Sequence, residues 1–307
     1  MKKVNIVLPA YNGEKYIGAQ IESILNQTYD NIDLYIRDDK SKDKTVEIIK
    51  SYIGREPVGK KIILVDNEQT NWGYVKNVFK TLELTGEADY YAFCDQDDVW
   101  LPDKIEKQVA LLESKGCDKP ALCFTGYNFC DSELNYVRPS TYIDGNLTLQ
   151  NVVYDFIVLN FNILINKALR DVLFQNFPNN EYPEYPDFWM SQVAAGFHGL
   201  YYLPDKLVNY RRNENASSSF NQNRISFLLW RVKNVLFGNE TKRIKKSHCD
   251  YYACYKKYLS DEDKKLMEMI TIPSLLHYFQ KIFYPKRFRI MKNDELGLRV
   301  FFALGKL

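Results

Sequence analysis

The sequence lacks several patterns that would place it in other protein classes. Its six cysteines form no C-x-x-C pair, and the three histidines show no metal-ligand spacing. No apolar run approaches the roughly 20 residues of a membrane-spanning helix. The G-x-G-x-x-G and G-x-x-x-x-G-K-[ST] patterns are absent, which disfavours a dinucleotide-hydride enzyme and a P-loop enzyme. The net charge of +2 gives no reason to expect a nucleic-acid partner.

Strand and helix patterns alternate from residue 1 to about residue 130. The predicted strands are VNIVLPA, IDLYIRDD, KIILVDN and DYYAFCD, with ALCFTGYNF as a fifth. Helical patterns follow the first four strands; Ile17, Ile21, Ile24 and Leu25, for example, recur at helical spacing. Repeats of this kind predict an α/β fold with a mostly parallel sheet and helices on both faces.

Polar clusters follow each of the first four predicted strands. They read PAYNGE, RDDKSKDKT, DNEQTNWG and DQDD. Since ligands of such sheets bind outside the carboxyl ends of the strands, this convergence predicts a binding site there.

The fourth cluster places Asp95, Asp97 and Asp98 within four positions. One interpretation is a solvated loop in which Asp98, or Asp103 further along, caps the next helix. The other is a cation site, because two carboxylates at a strand end can share a divalent ion whose other ligands are substrate phosphates. The ion would also offset the repulsion between the carboxylates.

Five sequence blocks, spread over roughly residues 3 to 215, resemble glycosyltransferase family 2, which has the Rossmann-like GT-A fold. The motifs RDD, CDQDDVW and PDFW are most similar to those of bacterial rhamnosyltransferases of cell-wall and capsular polysaccharide synthesis. The blocks are IVLPAYNGEKYIGAQIESILNQTY, IRDDKSKDKT, NWGYVKN, CDQDDVWLPDKI and YPDFWMSQVAAGFHGLYYLPDKLVNYR.

The resemblance implies roles for particular residues. It implies a Mn²⁺ or Mg²⁺ cofactor held by Asp95 and Asp97, with Asp95 nearer the ribose. One of the acidic pair after the second strand contacts the base in the family. Lys76 is alternatively a solvated helix lysine. The implied nucleotide-sugar site consists of Pro9, Ala10, Tyr11, Asn12, Glu14, Asp38, Asp39, Lys76, Asp95 and Gln96.

Asp187 precedes or begins a predicted helix, and its position alone favours an N-cap. The family places its catalytic base at the matching position. An inverting transfer needs such a carboxylate to take the proton of the incoming hydroxyl group. Glu184, three residues upstream, is the fallback base.

The chain departs from the family in two places. Lys40 stands where relatives commonly have a turn glycine, and Asn213 stands where they often have a histidine. If that histidine assists the metal or the diphosphate, Arg211 or Arg212 is the expected substitute. The following segment, NENASSSFNQN, is predicted to be a loop, with a lid over the donor as one interpretation.

The region from 221 to 307 mixes large apolar and basic residues and is predicted to be a helical extension of a catalytic domain at 1–220. Its nucleotide-binding half spans about 1–100 and its acceptor half about 101–220. Between 281 and 306, seven cations face two acids, which predicts peripheral binding to an anionic leaflet. A packed helical subdomain and a homodimer contact are the alternatives. The aromatic residues expected to offer apolar surface are Phe283, Tyr284, Phe288, Phe301 and Phe302.

These patterns together predict a metal-dependent inverting glycosyltransferase at the cytoplasmic face of a bacterial plasma membrane. The expected donor is dTDP-L-rhamnose, with a UDP-hexose as alternative, and the expected acceptor is a lipid-linked glycan. A nucleotidyltransferase would show a glycine-rich, basic first loop, unlike PAYNGEKY. An inactive binding module would not need Asp95, Asp97 and Asp187 together.

Overall fold

The computed structural model describes residues 1–66, 70–116, 118–141, 143, 147–178, 181–212 and 238–307. The strands of these residues are β1 (Val4–Ala10), β2 (Ile32–Asp38), β3 (Lys60–Leu64), β4 (Tyr90–Phe93), β5 (Val99–Trp100), β6 (Leu122–Cys130), β7 (Tyr136–Pro139), β8 (Ile163–Asn166) and β9 (Leu200–Arg211). The helices are α1 (Ile17–Leu25), α2 (Thr45–Tyr52), α3 (Tyr74–Leu84), α4 (Lys104–Lys115), α5 (Leu149–Val152), a 3₁₀ helix (Asn160–Asn162), α6 (Lys167–Gln175), α7 (Pro186–Gly196), α8 (Glu240–Tyr255), α9 (Asp261–Thr271), α10 (Leu275–Ile282) and α11 (Lys292–Ala303).

The described strands form one sheet in the order β3-β2-β1-β4-β8-β6-β9-β5, and β7 pairs with β6. The first four strands in that order are mutually parallel. β8 runs antiparallel to β4 and β6, whereas β6 and β9 are parallel to each other. β5 and β7 are antiparallel to their partners. Most strands therefore point the same way, which confirms the predicted sheet.

The parallel strands lie between two apolar cores, one on each face of the sheet. In β1, Ile6 and Leu8 contribute to one core and Val7 to the other, because successive side chains of a strand point to opposite faces. One core includes the apolar faces of α1 and α4, and the other those of α3, α6 and α7. Burial on both faces explains why these strands are apolar along almost their whole length.

Strand register brings the carboxyl ends of β1, β2 and β4 together. Ala10 pairs with Asp38, and Val7 pairs with Phe93. The Asp39 N–H donates to the Ala10 carbonyl oxygen over 2.7 Å, which extends the pairing past the end of β2. The polar clusters that follow these strands are therefore neighbours, as the sequence predicts.

Lys40 adopts a left-handed backbone conformation, with a φ of +68°. This is the position at which the sequence departs from a turn glycine. Side chains disfavour this region because Cβ approaches the carbonyl oxygen of the peptide unit. The turn therefore keeps the geometry that suits glycine and is strained by the lysine.

Helix α8 packs against α7, and α8 to α11 contribute to the apolar core that includes α7. Trp189 of α7 meets Tyr251 and Tyr255 of α8 with ring centroids 6.0 and 5.9 Å apart. The C-terminal region is therefore attached to the rest of the chain through a buried aromatic contact. The predicted boundary at residues 220 and 221, the NENASSSFNQN loop and the apolar segment after it lie outside the described residues.

The expected apolar surface of the C-terminal region needs a correction. Phe288 and Phe302 are fully buried and pack edge-on against Tyr154, with centroids 5.5 and 5.2 Å away. They belong to the core because α11 and the segment before it fold back onto α5 and its flanking residues. Phe283, in contrast, is 76% exposed.

Another set of apolar side chains in this region faces solvent. In α10 the exposed residues recur at helical spacing, and α11 carries a similar stripe. They are Leu275, Leu276, Phe279 and Phe283 at α10, and Leu296, Val300 and Leu304 at α11. Across the described part of the chain, no helix combines the length and apolar character needed to cross a bilayer.

Candidate active site

The acidic pair Asp95 and Asp97 lies in the loop directly after β4, near the middle of the sheet. The Tyr74 hydroxyl donates a hydrogen bond to Asp95 Oδ1 over 3.0 Å. Burial raises the pKa of Asp95 most, followed by the Asp97 carboxylate and then the Asp187 carboxylate, and together they bring it to about 7. Burial also raises the pKa of Asp97. Ionising the carboxylates of Asp95, Asp97 and Asp187 together is therefore unfavourable.

Asp95 and Asp97 suit a hard divalent cation that takes its remaining ligands from water and substrate and not from further protein side chains. Among the described residues, no group of three or more His, Cys, Asp or Glu side chains could hold a metal ion. Mg²⁺ usually takes one or two carboxylates and completes its coordination with water and substrate phosphates. A cation at Asp95 and Asp97 would remove the repulsion that raises the pKa of Asp95.

Asp98 has a different position from the other two acids. It is fully buried, and its Oδ1 accepts a hydrogen bond from the Arg211 N–H over 2.9 Å. The Arg211 guanidinium donates to the Asp97 carbonyl oxygen over 2.8 Å and to the Ser132 carbonyl oxygen. Asp98 and Arg211 therefore fasten the end of β9 to the acidic loop. Asp103 is the N-cap residue of α4, but its side chain makes no capping hydrogen bond.

A cavity of about 610 Å³ opens beside the acidic loop at the ends of β1, β2 and β4. Seven of the residues predicted for the site line it, together with four that the sequence did not single out. The predicted ones are Pro9, Ala10, Tyr11, Asp39, Asp95, Gln96 and Asp97. The additional ones are Asn71, Gly73, Tyr74 and Asn77.

Asp39 supports one wall of the cavity. Its Oδ1 pairs with Arg37 over 2.8 Å and accepts from the Trp72 N–H over 2.7 Å, and its Oδ2 accepts from the Gly73 N–H over 2.7 Å. Arg37 is buried and stacks on the Trp72 ring at 3.5 Å. A carboxylate has about four acceptor positions, so these bonds leave Oδ2 room for a further donor from a ligand.

Gln96 joins the loop after β1 to the acidic loop. The Tyr11 N–H donates to Gln96 Oε1, and Gln96 Nε2 donates to the Tyr11 carbonyl oxygen, both over 2.9 Å. A Cβ at Gly13 would collide with the Gln96 amide, so glycine is needed for this close approach. The pair fixes Tyr11, which is 46% exposed, at the rim of the cavity.

Asn12, Glu14 and Asp38 do not line the cavity; they hold the turn after β2. Asn12 Oδ1 accepts from the Lys42 N–H over 2.9 Å, and Glu14 accepts from the Lys44 N–H over 3.0 Å. Asp38 accepts from the Ser41 N–H over 2.9 Å. Their predicted contact with the nucleoside stays a prediction.

Lys76 also lies outside the cavity lining. It is exposed on α3, with its ammonium group 4.9 Å from the centroid of the Trp72 ring. The same ring packs against the guanidinium of Arg37. The predicted contact between Lys76 and the nucleotide stays a prediction.

Asp187 is the second residue of α7, so it lies inside the helix and is not its N-cap. Pro186 is the first residue of the helix and Tyr185 the N-cap. Asp187 Oδ1 accepts from the Phe188 N–H over 2.8 Å. Burial raises the pKa of Asp187 to about 6, against the opposite effect of the Phe188 and Asn160 backbone N–H groups. A base of this pKa is largely ionised at pH 7 and can still bind a proton.

Glu184, the fallback base, does not line the cavity beside the acidic pair. Its Oε1 accepts from Arg243 Nε of α8 over 2.6 Å. It lines a separate cavity between the segment that precedes α7 and α8. The structure therefore disfavours the interpretation of Glu184 as a base.

The structure also locates the two arginines expected to substitute for the histidine of relatives, whereas Asn213 lies outside the described residues. Arg211 is buried and stacks over Tyr16 at 4.4 Å. Its charge offsets part of the rise that burial causes in the pKa of Asp97. Arg212 packs against Phe129 at 5.1 Å. Of the two, Arg211 is the one in contact with the acidic loop.

Sequence reasoning missed Tyr74 and Asn160. Tyr74 belongs to the NWGYVKN block, so its position could have been examined. Asn160 carries no local signal, because its place beside the acidic loop follows from the pairing of β8 with β4.

The chain is similar in sequence to known glycosyltransferases. The sequence profile described as "Glycosyl transferase family 2" matches residues 5–179. The chain is 28% identical over 216 residues to the putative teichuronic acid biosynthesis glycosyltransferase TuaG of Bacillus subtilis, covering 70% of this chain and 81% of that protein. It is 31% identical over 191 residues to an uncharacterized glycosyltransferase of Haemophilus influenzae, covering 61% of this chain and 71% of that protein.

Solved structures share the fold. Residues 1–349 of S. aureus TarS, solved with UDP-GlcNAc, superpose with a TM-score of 0.56 at 15% identity, covering 99% of this chain and 92% of that one. The mannosyltransferase PcManGT of Pyrobaculum calidifontis, solved with GDP-Man and Mn²⁺, gives a TM-score of 0.51 at 12% identity, covering 99% and 87%. The predicted GT-A fold with C-terminal helices is confirmed.

Proposed function

Since the chain belongs to glycosyltransferase family 2, we propose that it transfers a sugar from a nucleoside-diphosphate sugar to a glycan hydroxyl group with inversion. One observation carries the proposal: the Asp187 carboxylate acts electrostatically on Asp95, which lines the cavity with Asp97. A single displacement needs a base for the attacking hydroxyl group and a pair of carboxylates that can hold a cation at the diphosphate. The catalytic domain is proposed to span 1–220, and 221–307 to be its C-terminal extension.

Asp187 is proposed to accept the proton of the attacking hydroxyl group. Its pKa of about 6 keeps it ionised at neutral pH, and the Phe188 N–H holds the carboxylate in place. Asp95 and Asp97 would hold Mn²⁺ or Mg²⁺, which neutralises the charge of the departing diphosphate when bound. Tyr74 orients Asp95 through its hydroxyl group.

The proposed donor is dTDP-L-rhamnose, because the RDD, CDQDDVW and PDFW motifs resemble those of bacterial rhamnosyltransferases. A UDP-sugar is the second candidate, because the TarS fold neighbour was solved with UDP-GlcNAc. Asp39, with room for one more donor at Oδ2, is proposed to accept from the base. Both thymine and uracil present the same imide N–H. Contacts with the sugar and with the ribose must therefore distinguish a dTDP donor from a UDP donor.

The proposed acceptor is a cell-surface glycan, and the form expected is lipid-linked. The name of TuaG, which refers to teichuronic acid biosynthesis, supports this class. Such an acceptor requires the enzyme to reach the inner face of the plasma membrane. The apolar residues exposed on α10 are proposed to make that contact, whereas a homodimer would cover the same face.

A panel of nucleotide sugars tests the proposal. The purified protein is heated with dTDP, UDP, GDP and their sugars, each with Mn²⁺ or with EDTA, and the stabilised combinations are assayed for hydrolysis. Metal-dependent stabilisation and hydrolysis of one donor are expected. Absence of stabilisation and hydrolysis with every donor would overturn the proposed function. Preference for UDP-GlcNAc over dTDP-rhamnose would overturn only the choice of donor.

A further inference from the structure

A second cavity, of about 210 Å³, lies along the carboxyl-terminal half of β6. β4 and β6 both pair antiparallel with β8, so these two strands point the same way. The second cavity and the acidic loop after β4 therefore lie toward the same edge of the sheet. The two cavities have no lining residue in common among the residues that the structure describes.

Aromatic side chains form much of the wall of the second cavity, which we call the aromatic cavity. The face of an aromatic ring is electron-rich, and the C–H groups on one face of a sugar ring pack well against it. A wall of this kind therefore suits a sugar. The aromatic lining residues are Phe124, Tyr127, Phe129, Phe156 and Tyr202.

The aromatic cavity also contains side chains that suit sugar hydroxyl groups, among them Arg138 and Asp155. The Arg138 guanidinium lies over the Phe129 ring, 3.8 Å from its centroid. Asp155 Oδ2 accepts from the Ile290 N–H over 3.0 Å. A guanidinium has five N–H donors and a carboxylate about four acceptor positions, so each can bind hydroxyl groups in addition to its protein contacts. Apolar walls with a few polar groups are typical of small-ligand sites.

Phe156 connects the aromatic cavity to the start of α7. Its ring stacks on the Phe188 ring with centroids 4.3 Å apart, and it meets the Tyr185 ring edge-on at 5.7 Å. Tyr185 and Phe188 flank Pro186 and Asp187 in the chain. Phe156 is 39% exposed, so a ligand can reach its ring. A sugar packed on Phe156 would therefore lie near the start of α7, which carries the proposed base.

The C-terminal extension supplies another part of the wall, through Ile290 and Met291. Two hydrogen bonds hold this segment in place: the one from the Ile290 N–H to Asp155, and one from Gln150 Nε2 to the Arg287 carbonyl oxygen over 2.5 Å. The family profile ends at residue 179. The extension thus completes a cavity that the matched part of the chain only begins.

The cavity that contains Glu184 also lies near α7, but it suits a sugar less well. Its charged side chains include the ion pairs Glu184–Arg243 and Lys246–Asp250, which a sugar would have to displace. Among the described residues, two aromatic side chains line it, against five in the aromatic cavity.

We propose that the aromatic cavity binds the acceptor sugar, the one whose hydroxyl group attacks the donor. The inference rests on the proposed function, because Asp187 takes a proton from that hydroxyl group only if the acceptor lies near the start of α7. Phe156 packs against the sugar ring, Arg138 and Asp155 bind its hydroxyl groups, and the C-terminal extension closes the cavity.

Saturation-transfer NMR on the full-length protein tests the proposal with methyl glycosides of glucose, galactose, N-acetylglucosamine, glucuronic acid and rhamnose. Each is titrated with and without UDP or dTDP and Mg²⁺. At least one glycoside should bind the wild type. Arg138→Gln should weaken that binding about tenfold, the loss expected for a hydrogen bond to a charged group, and Phe156→Leu about fivefold, the loss expected for an aromatic contact.

Two matched controls should bind the glycoside as the wild type does. Arg170→Gln changes an arginine that also lies over aromatic rings, with centroids 5.5 and 5.2 Å away, but outside the aromatic cavity. Tyr258→Leu changes an aromatic residue that is 38% exposed and packs on Phe197. Affinities for UDP and dTDP should be unchanged in all four variants.

Kinetics separate acceptor binding from a structural effect. With the glycoside that binds, Arg138→Gln should raise the acceptor KM about tenfold and leave hydrolysis of the donor by water unchanged, because water needs no sugar site. A structural defect would slow both reactions. If Phe156→Leu fails to fold, Arg138→Gln decides the outcome, since Arg138 is partly exposed.

Three results would overturn the proposal: no glycoside binds the wild type, neither Arg138→Gln nor Phe156→Leu weakens binding, or Arg138→Gln loses UDP and dTDP instead. Failure of the proposed function is distinguishable from these results. A wild type that binds a glycoside at the aromatic cavity but no nucleotide sugar would refute the proposed function alone. A wild type that hydrolyses a nucleotide sugar but binds no glycoside would refute the acceptor site alone.

Discussion

Tyr74 and Asp95 are joined by a hydrogen bond of 3.0 Å from the phenol hydroxyl to Oδ1, which ties the first turn of α3 to the acidic loop. The bond lowers the pKa of Asp95 against the larger effects of burial and Asp97. Tyr74 therefore helps to keep ionised a carboxylate that would otherwise hold its proton near neutral pH.

Tyr74→Phe is expected to raise the pKa of Asp95 above about 7. More of the carboxyl group is then protonated at pH 7, and the proton competes with the cation. The Mn²⁺ concentration needed for half-maximal nucleoside diphosphate binding should rise about tenfold at pH 6 and much less at pH 9. Tyr136→Phe, on the exposed β7, is the control. Equal effects at both pH values would contradict the role given to the hydroxyl group.

Asp97→Asn is expected to abolish transfer and to weaken nucleoside diphosphate binding in Mn²⁺ or Mg²⁺. The substitution keeps the side-chain shape and removes one of the two charges available to the cation. Asp103→Asn is the matched control, since Asp103 pairs with Lys107 at the surface of α4. Activity of the wild type in EDTA, or full activity of Asp97→Asn, would show that the metal site is misassigned.

Asp187→Asn is expected to lower kcat by roughly 10² to 10⁴, the usual contribution of a positioned general base. Donor affinity should change little, because the residue is proposed to face the acceptor. Glu184→Gln, which breaks only the contact with Arg243, should keep nearly full activity. Loss of donor binding along with turnover in Asp187→Asn would assign it to the donor site.

The pH dependence of the wild type should report the same carboxylate. Only ionised Asp187 can accept a proton, so its raised pKa of about 6 means that activity is lost as the pH falls through that value. With saturating Mn²⁺, which favours ionised Asp95, kcat/KM should fall about tenfold per pH unit below pH 6. Asp187→Asn should lack this acid limb.

The sequence predicted the part of the site that neighbouring parallel strands create. Apolar strands followed by polar residues, as at Ala10, Asp39 and Asp95, are recognisable locally, and parallel strands necessarily bring their carboxyl ends to one edge. The sequence did not predict Asn160 as part of the site, because its position depends on the antiparallel pairing of β8 with β4. Nothing in the local sequence specifies that pairing. Asn12, Glu14 and Asp38 have side chains suited to ligands or to turns, and composition does not distinguish the two uses.

The C-terminal region shows a similar limit. Phe288 and Phe302 lie among basic residues, a composition that suits a membrane surface as well as a core with a charged exterior. Their burial against Tyr154 depends on the return of the chain to α5, which helical periodicity does not specify. The exposed stripe on α10 is recognised only once its neighbours are known.

Lys40→Gly is expected to stabilise the protein by about 1 kcal/mol, because it relieves the left-handed conformation of an exposed lysine at φ +68°. Urea unfolding measures the change. Lys42→Gly is the matched control: it is an exposed lysine of the same turn without a positive φ, so it should destabilise by about 0.5 kcal/mol. Stabilisation by both substitutions, or by neither, would remove the conformational explanation.

Leu275→Ser with Phe283→Ser is expected to abolish flotation with anionic liposomes while leaving the unfolding temperature unchanged. These side chains are 75% and 76% exposed, so they contribute little to the core. Residues 238–307 carry fifteen Lys and Arg against eight Asp and Glu. Each cation near an anionic surface contributes about 1 kcal/mol, and salt screens the attraction over about 8 Å. Wild-type binding should therefore weaken with salt.

Substitutions are a cleaner test of this membrane contact than truncation after residue 270, which would remove Phe288 and Phe302 from the core. Tyr136→Ser with Val137→Ser, at side chains 62% and 61% exposed on β7, is the matched control and should float as the wild type does. Flotation of the α10 variant at low salt would reject the assigned face. A wild type that never floats but sediments as a dimer, which the α10 variant breaks, would make the stripe a subunit contact instead.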